Sequence, residues 1–272
     1  MIRFVATKIS QYIFLSILVG SCLVFLNACA TTSPSADLSQ NPAAVDAKML
    51  MLPSEHLTAF KALGSMAIVQ NNILLRTRMG LATEFPYRLR LELFLPTENL
   101  YTIVSNEHHI YIQDYLTHAF YVAPATERTL SRAVGIPIVP SDLICLLFGK
   151  IPYRTVSNAN FIDLSKQPNV PSNIKTGITV YDDSDMYYKA YLDEHLRPVQ
   201  LRYYTKNKLV LSVTSSNWHL EKEMWMPEKI ECTDPNNSFL EITIDTIWPN
   251  EKIEASQYIL EEPISEKPEG TN

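Results

Sequence analysis

Glycine is scarce in this 272-residue chain, with only seven residues. No GxGxxG, P-loop or GxSxG arrangement is present, which argues against glycine-built phosphate cradles and the nucleophile turn of hydrolases. A cationic excess is missing too: 23 Lys plus Arg face 29 Asp plus Glu, a formal net charge of −6. A chain of this charge with no basic run repels phosphate, so nucleic acid is a poor partner, and charge alone will not hold it to anionic lipid. Cysteine falls to four residues, none in a CxxC or Cys/His cluster, which argues against zinc. No internal repeat is evident. What the chain does have is apolar material. Hydrophobic residues make up 46%, enough for a sizeable core in one large β domain or two small ones.

The N-terminus concentrates part of it. Arg3 and Lys8 precede an apolar run from Tyr12 to Leu26. That run is too short for a comfortable membrane span and ends in small residues, the pattern of a secretory signal. Its last residues, Leu26-Asn27-Ala28-Cys29, resemble a bacterial lipobox. The resemblance implies a signal peptide over 1–28, cleavage before Cys29, and acyl chains on that cysteine. The mature chain then loses two positive charges and is held to a membrane by lipid, at about 0.8 kcal/mol per buried CH₂. Ala30 and Thr31 follow, not the aspartate that favours inner-membrane retention in enteric bacteria, so by the same resemblance the expected location is the periplasmic face of the outer membrane. Residues 29–48 are rich in Ser, Thr, Pro, Ala and Asn and read as a flexible tether. Cys22 lies in the signal. Cys145 and Cys232 remain, either as one disulfide of an oxidising periplasm or as two buried thiols.

Helical spacing of Leu57, Phe60 and Leu63 predicts a short helix from Met49 to Ala62. The period then changes to two. Strands are predicted over 62–70, 73–82, 87–95, 101–105, 110–113 and 119–123, with turns at Asn71-Asn72, Phe85-Pro86 and Pro96 to Asn99. Leu89, Leu91, Leu93 and Leu95 alternate with Arg88, Arg90 and Glu92, a strand with one face toward a core. Two short helices follow, over 126–134 and 141–148, the second with Ser141 as N-cap and Gly149 as its stop. Strands resume near Phe161 and at 178–181, 187–192, 199–205, 209–217, 225–232 and 239–247. Glu261, Glu262, Glu266 and Glu269, with Pro263 and Pro268, mark residues 251–272 as an acidic mobile tail.

Two meanders separated by two helices, after a lipobox, resemble the LolA/LolB family, and LolB in particular. The likeness is carried by Leu63-Gly64-Ser65-Met66-Ala67, by Tyr87-Arg88-Leu89-Arg90-Leu91 with the proline loop after it, and by Ala133 to Ile138 and Asp142 to Gly149. It implies a mainly β fold over residues 49–250: an unclosed antiparallel half-barrel of about eleven strands, with a helical lid over an apolar cavity. Such a family carries lipoproteins or receives them at the outer membrane. The implied partners are acyl chains or lipoproteins, the membrane through the lipid anchor, and a periplasmic carrier protein. No cofactor is implied. The cavity lining is then Leu89, Leu91, Leu93, Ile136, Leu143, Leu146 and Leu147, residues that an ordinary core would use equally well. In LolB the loop after the third strand puts a leucine directly after its proline and assists transfer into the membrane. Here that position is Thr97, with Leu100 and Tyr101 as substitutes in a membrane-contact loop.

Other candidates are weaker. His108, His109 and His118 suggest a metal site, but adjacent histidines on a strand face opposite ways and no acidic or thiol ligand sits at suitable spacing. Asp182-Asp183-Ser184-Asp185 lacks the glycine and distal glutamate of a calcium loop and reads as a hairpin turn. No nucleophile, base and orienting group can be matched, so no catalytic residue is assigned. Arg76, Arg78, Arg88 and Arg90 read as an exposed outer sheet face. Two functions stand: a lipid-anchored acyl-chain binder serving outer-membrane localisation of lipoproteins, or an assembly lipoprotein of the envelope that binds a protein partner.

Overall fold

The computed structural model describes residues 50–261 apart from 52, 54, 71, 153–158, 168–169 and 182–185. The signal peptide, Cys29, the tether and the Asp182 to Asp185 turn all lie outside the described residues, as do the tail residues 262–272.

The first meander contains β1 (Ala59–Gln70), β2 (Ile73–Glu84), β3 (Arg88–Leu95), β4 (Glu98–Ser105), β5 (His109–Asp114) and β6 (Ala119–Pro124). Helices α1 (Glu127–Val134) and α2 (Pro140–Leu147) interrupt the strands. The second meander contains β7 (Ala159–Phe161), β8 (Thr176–Tyr181), β9 (Met186–Leu192), β10 (Pro198–Thr205), β11 (Lys208–Glu221), β12 (Met224–Thr233) and β13 (Phe239–Pro249). All thirteen strands form one sheet, in the order β6-β5-β4-β3-β2-β1-β13-β12-β11-β10-β9-β8-β7. The first strand therefore joins the last, antiparallel, and β6 and β7 are the two free edges. The sheet stays open, as expected. Thirteen strands is the number the alternation predicts, not the eleven implied by resemblance.

Alternation sorts the side chains. On β2, Met79 and Leu81 are buried while Arg76 and Arg78 are exposed. On β3, Leu89, Leu91 and Leu93 face inward. The β10–β11 hairpin turns on Lys206 and Asn207, both with positive φ (50° and 64°), the backbone that a two-residue turn between twisted strands requires. Gly64 meets a different demand. Register slips between Leu63 and Gly64, where β13 crosses so closely that a Cβ at Gly64 would stand 2.0 Å from the Thr243 carbonyl oxygen. Only glycine fits such a bulge.

Two expectations are corrected. The helix expected over 49–62 ends early. Residues 50–51 are helical, but 55–58 turn and β1 starts at Ala59. Leu57 and Phe60 are both buried, so an extended entry satisfies the same burial that helical spacing suggested. Nor is Ser141 the N-cap of α2. Val139 occupies that position, with no side-chain cap bond, and Pro140 is the first helical residue. Proline has no N–H to satisfy there and its φ is preset for the helix. The helix α1 does carry a side-chain cap, with Thr129 N donating to Thr126 Oγ1 at 3.4 Å, and Gly135 closes it at φ 77°.

Candidate functional site: the covered inner face

The inner face of the sheet and the two helices share one hydrophobic core. All seven predicted lining residues lie in it, each at most 1% exposed. Leu89, Leu91 and Leu93 come from β3, Ile136 from the link between the helices, and Leu143, Leu146 and Leu147 from α2. The α2 side chains thus pack directly against the inner face of the sheet. Among the residues that patterning missed are Leu130 and Val134 of α1, Ile144, Phe148, and the inward positions Tyr188, Ala190, Leu201 and Met226 of the second meander. The signal was available in the alternation of Tyr188, Ala190 and Leu192, but those strands lack the motif likeness of β3.

Helix α2 is apolar nearly all round, with Leu143, Ile144, Cys145, Leu146 and Leu147 all buried. Such a helix has no face for water and must be covered. Its end is fastened at several points. Phe148 meets Phe60 and Phe85 edge-on, at centroid distances of 4.9 and 5.7 Å. Gly149 adopts φ 64°, and a Cβ there would lie 2.3 Å from the Trp225 carbonyl oxygen and 2.9 Å from the Trp218 ring. Those indoles border Arg197, whose guanidinium lies 4.7 Å from the Trp225 ring and 5.7 Å from the Trp218 ring. Buried Asp193 accepts from Arg197 Nε at 2.6 Å and from the backbone N–H groups of His195 and Arg197 at 2.9 and 3.0 Å. The segment beyond is held by Tyr188, whose hydroxyl donates to the Pro152 carbonyl at 2.7 Å. Burial holds the Lys150 amine below its ordinary pKa.

Cys145 and Cys232 are buried free thiols, which decides the alternative left open by the sequence. Burial pushes the Cys232 thiol up to about 12, so it is no nucleophile. The histidines do not converge. His109 opens β5, His108 lies in the bend before it, and His118 lies in the turn beyond its end. Among the described residues no three His, Cys, Asp or Glu form a metal-binding group.

The outer face has another character. Arg78 pairs with Asp245 at 2.8 Å, Arg88 with Glu84 at 3.1 Å, and Arg90 with Glu92 at 2.7 Å. Arg90 also donates to the Gln257 carbonyl at 3.0 Å. The first part of the expected tail is therefore docked: a 3-10 turn spans Ala255–Tyr258, and Tyr258 is 2% exposed. Between that segment and β1–β3 lies a recess of about 640 Å³ that includes Leu63, Gly80, Arg90 and Trp248 in its walls.

The expected membrane-contact loop is a tight turn. Thr97 is exposed at its tip, but Leu100 already belongs to β4, and its side chain is 3% exposed. Tyr101 is half-buried. Among the described residues, no helix is long and apolar enough to cross a membrane.

No family model matches the sequence, and no curated protein matches it significantly. Solved structures do match in fold. A Vibrio parahaemolyticus domain named for outer membrane lipoprotein sorting superposes with a TM-score of 0.58 at 13% identity, covering 78% of this chain and 92% of its own. A DUF1329 family protein from Desulfovibrio piger gives 0.55 at 9% identity, over 75% and 91%. A LolA superfamily protein from Nitrosomonas europaea gives 0.50 at 8%, over 79% and 94%. The open thirteen-stranded antiparallel sheet with its two helices is a LolA-like fold.

Proposed function

We propose that this chain is a lipid-anchored envelope protein that binds acyl chains, those of lipoproteins, between its inner sheet face and α2, without covalent chemistry. The observation that carries the reading is the buried helix α2, apolar from Leu143 to Leu147 with Asp142 buried in its first turn, seated on an open sheet. An open sheet has unpaired edges at β6 and β7, so the covering helices can separate from it without breaking a closed ring of strand pairs. In this reading the described arrangement is the closed state. Acyl chains enter as α2 leaves, and their methylenes replace its side chains against β3.

The magnitudes are compatible with exchange. A sixteen-carbon chain gains roughly 12 kcal/mol on full burial, at about 0.8 kcal/mol per CH₂. Exposing Leu143, Ile144, Leu146, Leu147 and Phe148 costs roughly 7–15 kcal/mol, at about 1.5–3 kcal/mol per side chain. Near-balance of the two lets a carrier or receptor release its cargo. Anchoring at Cys29 on the periplasmic face of the outer membrane would place this exchange where lipoproteins arrive, and a periplasmic carrier is the partner that delivers them.

Native mass spectrometry of the protein purified from membranes tests the reading. The expected result is a bound acylated species. Uniformly unliganded protein that also takes up no fluorescent fatty acid would overturn it. One observation favours the second reading, an assembly lipoprotein that binds a protein. The outer recess exposes Leu63 and Trp248 beside the paired charges Lys61–Glu251 and Arg90–Glu92. A Gly80→Trp variant fills that recess and leaves the inner face alone. Loss of a co-purifying protein in that variant, with acyl binding absent throughout, would favour the second reading.

A further inference from the structure

The topology puts three hairpin tips of the first meander side by side at one end of the sheet. They are the β1–β2 tip, the β3–β4 tip and the β5–β6 tip. The middle one carries Thr97, and the two that flank it present exposed apolar side chains beside polar turn residues, Asn72 in one and Thr117 in the other. Ile73 is 71% exposed, Leu74 52% and Leu116 55%. Beside Leu116, Tyr115 is exposed too. Its phenol oxygen is 3.3 Å from Thr102 Oγ1, so the ring sits at the margin between strand and tip. The matching end of the second meander is more polar at its described tips: Lys206-Asn207-Lys208 is followed by Leu209, 41% exposed, and Asp234-Pro235-Asn236-Asn237 has no exposed large apolar side chain beside it.

The β5–β6 tip satisfies several of its backbone N–H groups from within. Asp114 Oδ1 accepts from the N–H groups of Leu116 and Thr117 at 2.9 and 3.1 Å, and Tyr115 N donates to the Leu100 carbonyl at 3.0 Å. Across the other tip Gln70 is register-paired with Ile73. A turn that needs no water for its N–H groups can enter a low-dielectric layer with little penalty. The apolar points are separate, roughly 20 Å apart across four strand spacings, with polar Thr97 and Glu98 between. A contiguous protein interface would place apolar area in that gap. A fluid lipid interface does not require it.

We infer that Ile73, Leu74 and Leu116 form a membrane-docking rim, in which Leu100 has no part and Thr97 is the weak middle position. The occupant is the interfacial zone of a bilayer, entered by apolar insertion and without a cationic cluster. The inference rests on the anchored-lipoprotein reading above. The chain between Cys29 and Leu50 has a contour of roughly 70 Å. The longest rim strands, at twelve residues, span roughly 40 Å. The tether is therefore long enough for this rim to reach the membrane that holds the anchor, from either end of the domain.

The test uses the full acylated chain in phosphatidylcholine vesicles. Ile73→Cys, Leu116→Cys and, at the opposite end of the sheet, Glu107→Cys each carry an environment-sensitive fluorophore. The native thiols 145 and 232 are buried and stay unlabelled in the folded protein. Lipids with a nitroxide high on the acyl chain are expected to quench the labels at 73 and 116 at least about threefold more than the label at 107. Equal quenching at all three sites in anchored protein overturns the rim, as does protection at 73 and 116 that depends on protein concentration and not on lipid. Chain left in solution at lipid excess removes the anchor and the rim together. Quenching at the tips with no bound acyl chain keeps the rim and removes the acyl site.

Discussion

The two faces of β3 differ in kind though they share one strand. Inward, Leu89, Leu91 and Leu93 meet α2 and the rest of the core. Outward, Arg88 and Arg90 pair with Glu84 and Glu92, and Arg90 holds the Gln257 carbonyl. Cores resist change because each removed or added atom alters close packing. Half-exposed ion pairs tolerate change because water replaces the partner. The inner face should therefore set stability and ligand, and the outer face should set neither.

The sharpest way to break the comparison is to place one charge on each face. Leu91→Glu should lower unfolding free energy by several kcal/mol, since the carboxylate would be buried unpaired. Thr246→Glu, at an exposed position on β13, should stay within about 0.5 kcal/mol of wild type. Urea denaturation reads both, and equal losses would end the distinction.

Leu146→Ala separates a lid from an ordinary core. The truncation should cost about 2–5 kcal/mol of stability. If α2 must leave for an acyl chain to enter, a weakened closed state should also tighten binding of a fluorescent fatty acid. A residue that only packs would lose stability with unchanged or weaker binding.

Alkaline pH sharpens the inner face further. The Cys232 thiol is raised from 9.0 to about 12 by burial, and then by Glu231. The unfolded thiol ionises first, so this contribution is intact below about pH 9 and is lost as pH rises from there toward 12. The buried Tyr258 phenol is shifted in the same direction. Cys232→Ala should therefore show a shallower fall in denaturation midpoint between pH 8 and 11 than wild type. The same slope in both would place the thiol in water.

The smallest effect belongs outside. Lys229 bridges Glu231 and Glu241 at 3.1 and 2.8 Å, and those two carboxylates face each other across β12 and β13. Lys229→Ala should cost no more than about 1 kcal/mol at low salt, and less as salt screens the pair. Denaturation midpoints at two salt concentrations check this.

Much of this was legible in the sequence because strand alternation is local. Runs such as Leu89 to Leu95 fix a buried face without knowledge of the neighbours, and all thirteen strands could be placed that way. What was not legible depends on distant chain. Leu57, Phe60 and Leu63 match a helix until β13 is known to pair with β1. The glycine of Leu63-Gly64-Ser65 cannot be explained without Thr243 beside it. Leu100 looked available to a membrane because sequence does not show which side of β4 it takes. For the same reason sequence patterning points to β3 and the helices alone as lining, and leaves Ile73, Leu74 and Leu116 as ordinary strand and turn residues.

The central claim is that acyl chains occupy the space now filled by α2. Photo-crosslinking with a palmitate that bears a diazirine at the end of its chain tests it most directly. The account predicts adducts on peptides containing residues 89–93 and 143–148, suppressed by excess unlabelled fatty acid. Adducts confined to outer-face peptides around Leu63, Gly80 and Trp248, or none above background in folded protein, would contradict it.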